Sequence, residues 1–402
     1  MEKTIHSILI IGLDVTSLAK SASEVGYKVY SIDYFGDSDL KRACVKSYSI
    51  ICQQKNQSCK RLSEQFSPEY LLKLVRRLVR EFRIEGAILS SGLEDSPEII
   101  SELGEYIPII GNDSLSIKRV RDRLNFFREL ESLGILHPST RIVDNVKEAM
   151  KQARDIGYPV ILKPEKGSGG GGVEKVSHSY RLESAFNRVS SIGGRVLIQE
   201  YTEGIPVSVS LISIPGRSMV LSVNEQLMGM RSLGQHNSFN YCGSIVPLSA
   251  RELLVKKCER IAERIVNNFR LIGSNGVDFV LSSLGEPCVI EINPRFQGTF
   301  ECVERVLGVN LLEAHIRACV SGILPQNVAV PRCVCTRLIL YAKKRSKVPD
   351  LNGLEGVQDI PFPGVIVEKG EPVCSAIAEG ISRVSSLRKA RDIANHIYSM
   401  LQ

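Results

Sequence analysis

Apolar and polar positions alternate along the first part of the chain in a pattern of short strands and amphipathic helices. Residues 68–82 carry apolar side chains three and four positions apart, which is the period of a helix with one buried face. Short apolar-rich runs, typical of buried strands, occupy residues 7–11, 28–32 and 86–90. Strands that alternate with helices predict a Rossmann-like α/β domain, which we assign to residues 1–112.

Hairpins and helices replace this alternation in residues 113–330, which predicts an α+β region. Ser249-Ala-Arg-Glu252 has the spacing of a capping box, so we expect a helix to begin there and to end at Gly273. Further strands are predicted at residues 160–162, 195–198, 207–212, 276–281 and 287–293. We divide this region into a small lobe over about 140–200 and a large lobe over about 201–330.

The remaining residues, 331–402, have short strands, proline and glycine turns and a final helix over 387–401. We expect a small β-rich closing segment. The chain is therefore predicted to be a multidomain protein of mixed α/β and α+β class.

Charge and composition exclude several classes of protein. The net charge is +7, but the basic residues are dispersed and often lie beside acidic ones, so we expect no nucleic-acid partner. No apolar run is long enough to span a membrane, and the first residues do not resemble a signal peptide. Eleven scattered cysteines without a C-x-x-C pair indicate reduced thiols rather than a zinc site, which favours a cytoplasmic location.

The predicted strands of the N-terminal domain end at one edge of the sheet, where ligands usually bind in such sheets. Gly12, Asp33 and Glu94 lie near these strand ends. The G-x-G-x-x-G fingerprint is absent, because Gly12 is followed by Leu13-Asp14-Val15. We therefore expect neither a nicotinamide nor a flavin site here.

A lysine followed by a glycine-rich loop is the first candidate for chemistry. Lys163 lies at the end of a predicted strand, and residues 167–172 read Gly-Ser-Gly-Gly-Gly-Gly. An ammonium group beside bare backbone N–H groups suits phosphate binding. The alternative is a flexible hairpin tip, and the segment is not a P-loop, since no Gly-Lys-Ser/Thr follows.

Three oxygen-bearing side chains converge on one predicted hairpin. Asp278 lies on its first strand, and Glu291 and Asn293 share one face of the second, because they are two residues apart. Such donors suit Mg²⁺ (or Mn²⁺), and Arg295 adds a cation beside them. The alternative is a surface hairpin with ordinary polar alternation.

In this order, the segments resemble the ATP-grasp superfamily, and most of all its predicted archaeal ATP-dependent carboxylate–amine ligases (carboligases). The segments that carry the resemblance are residues 158–164, 167–172, 196–204 and 277–295. The resemblance implies a pre-ATP-grasp domain over 1–112, an ATP-grasp core over 113–330 and a closing segment over 331–402. It also implies small-molecule substrates and is compatible with a homodimer.

The resemblance also implies roles for individual residues. Lys163 and Arg295 would be catalytic, with Lys163 binding the phosphates and Arg295 steadying an acyl phosphate. Asp278, Glu291 and Asn293 would hold the metal. ATP would be bound by Arg123, Lys163, Ser168, Gly169, Gly170, Gly171, Gln199, Glu200, Tyr201 and Thr202.

Two positions depart from the family pattern. Arg123 stands where a second nucleotide-binding lysine is common, and Pro206 stands near the position of an acidic residue that touches ribose. From the residues alone, Gln199–Thr202 is equally well explained as a plain strand-to-turn junction.

The function that the resemblance implies is an ADP-forming ligase that joins a carboxylate to an amine (or thiol) through an acyl phosphate. A bicarbonate-activating carboxylase subunit and a silent ATP-binding regulatory protein are the alternatives. Residues 228–247 have the composition of a binding loop for the acceptor. Within it, His236 fits a proton acceptor and a solvated loop histidine equally well.

Overall fold

A four-stranded parallel sheet forms the N-terminal part of the chain, whose computed structural model describes residues 5–61, 68–167, 169–282 and 285–401. Its elements are β1 Ser7–Ile11, α1 Thr16–Glu24, β2 Lys28–Asp33, α2 Ser38–Ala43, β3 Lys46–Ser49, α3 Pro68–Glu81, β4 Gly86–Leu89 and α4 Pro97–Tyr106. The strand order is β3-β2-β1-β4. Every residue of β1 is buried, so its apolar run forms the centre of the domain as predicted.

Two helices connect this domain to the rest of the chain, α5 (Ser114–Arg121) and α6 (Arg123–Ser132). Both begin at aspartates that cap them. The Asp113 side chain accepts a hydrogen bond from the Ser116 backbone N–H, and Asp122 does the same for Asn125. The second cap makes Arg123 the first residue of α6.

The small lobe is a four-stranded antiparallel sheet with two helices on it. Its elements are β5 Thr140–Val143, α7 Val146–Ile156, β6 Val160–Pro164, β7 Glu174–Val176, α8 Leu182–Ser190 and β8 Val196–Glu200. The strand order is β5-β8-β6-β7. Its buried side chains, which include Ala149, Leu162, Phe186 and Ile198, form a core of their own.

An eight-stranded antiparallel sheet makes up the large lobe. Its strands and the surrounding helices are β9 Gly204–Ile214, β10 Arg217–Met228, β11 Tyr241–Val246, α9 Glu252–Asn268, β12 Gly273–Ser282, β13 Pro287–Asn293, α10 Phe300–Leu307, α11 Leu311–Ser321, β14 Val334–Tyr341, β15 Ser346–Lys347, β16 Val357–Gln358, β17 Ile366–Val367, β18 Pro372–Gly380 and α12 Arg383–Met400. The order of the large sheet is β13-β12-β9-β10-β11-β14-β18-β16. Strands from residues 334–380 therefore extend the sheet of the large lobe.

The N-terminal domain packs on the large lobe through a shared core. Ile10 and Leu18, from β1 and α1, belong to the same buried cluster as Val303 and Leu312, from α10 and α11. This packing places the strand ends of the first domain beside the strands β12 and β13. The mixed α/β and α+β architecture agrees with the predicted fold class.

Two predicted helix boundaries in the large lobe were wrong. Helix α9 begins at Glu252 after Arg251, not at Ser249, and has no side-chain cap. The preceding segment still pairs with the sheet, since the Leu248 N–H donates to the Val223 carbonyl, so the chain turns into the helix late. Gly273 does not end this helix; α9 stops at Asn268, and Gly273 begins β12.

Two further findings concern the described residues. None of their helices combines the length and the apolar character needed to cross a membrane. All eleven cysteines are unbridged, and seven of them are buried.

Candidate active site

A cavity of about 780 Å³ opens where the small lobe, the large lobe and the N-terminal domain meet. Every predicted site residue that the structure describes lines it: Arg123, Lys163, Gly169, Gly170, Gly171, Gln199, Glu200, Tyr201, Thr202, Asp278, Glu291, Asn293 and Arg295. Ser168 lies outside the described residues. Side chains that are far apart in sequence thus face one cavity.

Lys163 reaches the cavity from β6 and is held there by the neighbouring strand. Its Nζ donates to Gln199 Oε1 at 3.1 Å, and Gln199 Nε2 donates to Thr140 Oγ1 at 2.8 Å. Burial and the charge of Arg123 lower the pKa of Lys163 to about 8. Because burial and Arg123 disfavour the charged form of Lys163, a phosphate group bound beside Lys163 would stabilise its positive charge.

Arg123 enters the same cavity from the first turn of α6. The residue is only 6% exposed, and its guanidinium donates to Glu291 Oε2 at 3.2 Å. Its Nε and one terminal nitrogen are buried without a hydrogen-bond partner in the described part of the chain. Buried donors of this kind call for acceptors, and phosphate oxygens would supply them. The arginine therefore fits the nucleotide-binding role predicted for it.

Asp278 and Glu291 face each other across the hairpin of β12 and β13, where they are direct register partners. Asn293 Nδ2 donates to Asp278 Oδ2 at 2.9 Å, and Gln226 Nε2 donates to Asp278 Oδ1 at 3.0 Å. The hairpin predicted from the sequence is thus formed and presents its polar face to the cavity.

The charges around Asp278 and Glu291 indicate the kind of ligand that this pair of carboxylates would bind. Burial raises the pKa of Glu291, but the charges of Arg123, Arg121 and Lys163 outweigh it and lower the pKa to about 2. Burial and the Glu291 carboxylate raise the pKa of Asp278 to about 8. A divalent cation would relieve this repulsion, and two carboxylates with an amide oxygen are donors that Mg²⁺ accepts. The residues present therefore fit a magnesium ion.

Arg295 is fixed in the cavity by a residue of the N-terminal domain. Its Nε donates to Glu94 Oε1 at 2.6 Å, and a terminal nitrogen lies 3.4 Å from Asn293 Oδ1. Burial raises the pKa of Glu94, but the charges of Arg295 and Arg121 and the hydrogen bonds to the carboxylate together outweigh burial and lower the pKa. Glu94 was expected at the ligand-binding edge of the first sheet, but its pairing with Arg295 was not predicted.

The glycine loop lies against the segment that precedes β11. The Tyr241 N–H donates to the Gly169 carbonyl at 3.0 Å, and a Cβ on Gly170 would lie 1.8 Å from the Phe239 carbonyl oxygen. Asp95 Oδ2 accepts from the Gly167 N–H at 2.8 Å. The loop thus contacts the large lobe and the N-terminal domain at once.

The predicted acceptor loop, 228–247, contributes only part of its length. Met228, Ser238, Phe239 and Tyr241 line the cavity. His236 is exposed and is not among the lining residues. This position favours the solvated histidine over the proton acceptor.

The connection between the lobes uses some of its own backbone donors. The Glu200 N–H donates to the Ser139 carbonyl, and the Tyr201 N–H donates to the Pro159 carbonyl. These two N–H groups are therefore engaged within the chain. The carbonyl oxygens here and the backbone from Thr202 onwards are the remaining backbone candidates for a base edge.

A second group of charged residues, which we did not predict from the sequence, surrounds Arg337 of the eight-stranded sheet at the wall of the cavity. Arg337 of β14 donates to Asp14 Oδ2 at 3.2 Å and, with the same nitrogen, to Asp359 Oδ2 at 2.7 Å. Its Nε donates to Ser375 Oγ at 3.1 Å. Asp14 lies 323 positions from Arg337, and Asp359 and Ser375 lie 22 and 38 positions from it, so no local pattern could reveal the group.

Comparison with known proteins agrees with this geometry. Residues 120–299 match the ATP-grasp domain family. The chain is 26% identical over 374 residues to an uncharacterized protein of Methanocaldococcus jannaschii, an alignment that covers 92% of this chain and 88% of that protein. It is 27% identical to the carbamoyl phosphate synthase large chain of Thermoplasma acidophilum, with 80% of this chain and 30% of that protein covered.

Solved structures share the fold over nearly the whole chain. Biotin carboxylase of Campylobacter jejuni has a TM-score of 0.78 at 18% identity, with 99% of this chain and 92% of that chain covered. The L-amino acid ligase of Bacillus licheniformis has a TM-score of 0.72 at 16% identity, with 99% and 98% covered. The whole chain thus shares the fold of these structures, and its residues 120–299 belong to the ATP-grasp domain family. Members of this family are ADP-forming ligases and carboxylases that bind ATP with Mg²⁺.

Proposed function

We propose that this protein is an ATP-dependent carboxylate–amine ligase that activates its acid as an acyl phosphate and releases ADP and phosphate. The observation that carries the proposal is one cavity in which Lys163 and Arg123 face the acid pair Asp278 and Glu291, with Arg295 alongside. Cations for a triphosphate, ligands for a divalent metal and a further cation for the reacting carboxylate are thus present together.

ATP would lie between the two lobes. Lys163 and the unpartnered nitrogens of Arg123 would bind its phosphates, and the loop 169–171 would cover them with backbone N–H groups. Asp278, Glu291 and Asn293 would hold Mg²⁺ or Mn²⁺. When bound, the ion neutralises charge on the transferred phosphoryl group.

In the first step, an oxygen of the acid substrate attacks the γ-phosphorus, and the bond to the bridging oxygen of ADP breaks. Lys163 and Arg123 offset the charge that develops on the phosphate oxygens. Arg295, held by Glu94, is positioned to bind the carboxylate before the attack and the acyl phosphate after it. The protein contributes chiefly position and electrostatics.

In the second step, the amine nitrogen attacks the acyl carbon. A C–N bond forms, the C–O bond to phosphate breaks, and phosphate leaves. The fold likeness to an L-amino acid ligase supports amino acids as the first acids and amines to be tried.

The test is ADP release from ATP with mixtures of carboxylic acids and primary amines, followed by mass analysis of the product. We expect hydrolysis that requires an acid and an amine together. Stimulation by bicarbonate alone would indicate the carboxylase, and tight ATP binding without turnover for any mixture would indicate the regulatory protein.

Two variants make the test specific to the site. Lys163→Ala and Glu291→Gln are each expected to reduce turnover by at least about 100-fold. The temperature of thermal unfolding should shift by no more than a few degrees in either variant. Asp155→Asn, on the exposed side of α7, is the matched control and should keep full activity. Full activity in either site variant would contradict the assignment.

A further inference from the structure

Part of the cavity wall is formed by the N-terminal domain and β14, and around Arg337 the carboxylates outnumber the cation. Asp14 and Arg337 both line the cavity there. One guanidinium nitrogen of Arg337 serves both Asp14 and Asp359, so two carboxylates share one cation. Asp37, the next carboxylate in range, is already paired with Arg61.

The two carboxylates differ in their access to the cavity. The Asp14 side chain is 33% exposed, whereas that of Asp359 is 10% exposed. Arg337 keeps bonds to Asp359 and Ser375 that do not involve Asp14. The carboxylate that holds Arg337 in place is therefore Asp359, and Asp14 is the one presented to a ligand.

We propose that Asp14 binds the protonated amino group of the amine substrate and accepts the proton that this group must lose before it attacks the acyl phosphate. This inference rests on the proposed function and extends it, because it names a protonated primary amine as the acceptor. Asp14 Oδ1 accepts one bond from the Thr16 N–H and Oδ2 one from Arg337. Each carboxylate oxygen can accept a further bond from an ammonium group.

The amine substrate must lose a proton before it attacks, and a carboxylate can accept that proton. An ammonium nitrogen has no free electron pair, so one proton passes to Asp14 and from there to solvent. The freed pair then forms the C–N bond as the C–O bond to phosphate breaks. The second proton leaves the nitrogen with the departing phosphate, which gives the amide and hydrogen phosphate.

The electrostatics of Asp14 suit a proton acceptor. Partial removal of the Asp14 carboxylate from water and the nearby Asp359 carboxylate raise the pKa of Asp14 to about 7, against the lowering effect of Arg337. Asp37 raises it further, and the Thr16 N–H lowers it. A base of this strength is ionised in part at neutral pH and takes up a proton readily.

The test compares two nucleophiles on one variant, Asp14→Asn. The first is the amine found by the substrate screen, which is protonated at neutral pH. The second is hydroxylamine, which is mostly uncharged there and traps an acyl phosphate as a hydroxamate. We expect Asp14→Asn to lower kcat/KM for the amine by about 100-fold and to change hydroxamate formation by less than about threefold.

The outcomes separate this inference from the function beneath it. If the wild-type protein forms no hydroxamate from any acid in the screen, the proposed function fails and this inference fails with it. If Asp14→Asn loses both reactions equally, or melts well below the wild type, Asp14 is structural and the inference is overturned while the function stands. Unchanged amine turnover in Asp14→Asn would also overturn it. Asp392→Asn, exposed on α12, is the matched control.

Discussion

Replacing Gly170 by alanine tests whether the glycine loop must lie against the large lobe for ATP to be held. A Cβ on Gly170 would lie 1.8 Å from the Phe239 carbonyl oxygen, and ordinary contact begins at 3.4 Å. The loop would have to withdraw by about 1.6 Å. The hydrogen bond from the Tyr241 N–H to the Gly169 carbonyl, now 3.0 Å long, would then be broken.

Gly169 provides the comparison within the same loop. Both glycines have positive φ, +63° for Gly169 and +78° for Gly170, so alanine costs about 1 kcal/mol of backbone strain at either position. A Cβ on Gly169 meets nothing within 4 Å in the described structure. The difference between the two variants therefore isolates the contact with Phe239.

We expect Gly170→Ala to weaken ATP binding by about tenfold more than Gly169→Ala does, because the lost hydrogen bond and displaced backbone donors are worth about 1 to 2 kcal/mol. Titration calorimetry with a non-hydrolysable ATP analogue measures the affinity, and ADP release measures turnover. The temperature of thermal unfolding should fall by no more than a few degrees in either variant, since residues 169–172 are not buried. Equal affinities for the two variants would refute the reasoning.

Three further predictions concern charge. Above pH 8, ATP affinity should fall by up to about tenfold per pH unit, because Lys163 loses its proton near a pKa of about 8; calorimetry of Lys163→Arg, which stays charged, should show no such fall. His315 is buried, and burial lowers its pKa from 6.5 to about 4, so the unfolded chain binds the extra proton in acid. Stability should therefore fall as pH drops from about 6.5 towards 4, by about 2 kcal/mol between pH 7 and 5 in urea unfolding, and His315→Gln should lack that part of the slope. Glu94→Gln, which leaves Arg295 without its charged partner, should lower kcat about tenfold with little change in KM for ATP; an unchanged kcat would count against that pairing.

Local patterns were sufficient for the parts of the site that lie within one supersecondary unit. The helical period of residues 68–82 predicted α3, and the two-residue spacing of Glu291 and Asn293 predicted a shared face on β13. Asp278 and Glu291 came together because a hairpin fixes which residues are opposite each other. Lys163 at a strand end beside a glycine run needed no tertiary information.

The contacts between domains could not be predicted in this way. Glu94 with Arg295, and Asp14 with Arg337, join positions 201 and 323 residues apart, and only the packing of the first domain on the large lobe brings them together. The start of α9 was misplaced for a related reason. A capping-box spacing describes the chain locally, whereas the Leu248 pairing with Val223 keeps residues before the helix on the sheet.

The continuity of the eight-stranded sheet across residue 331 limits how this protein can be recombined with its relatives. Three of its strands, β14, β16 and β18, come from the closing segment 331–402, and β14 contributes Arg337 to the cavity. Replacing residues 331–402 by the corresponding segment of a relative would therefore also change the part of the cavity wall that Arg337 forms. The small lobe has a buried core of its own. Chimeras that exchange residues 140–200 should therefore leave Asp14 and Arg337 in place and change only the binding of the nucleotide.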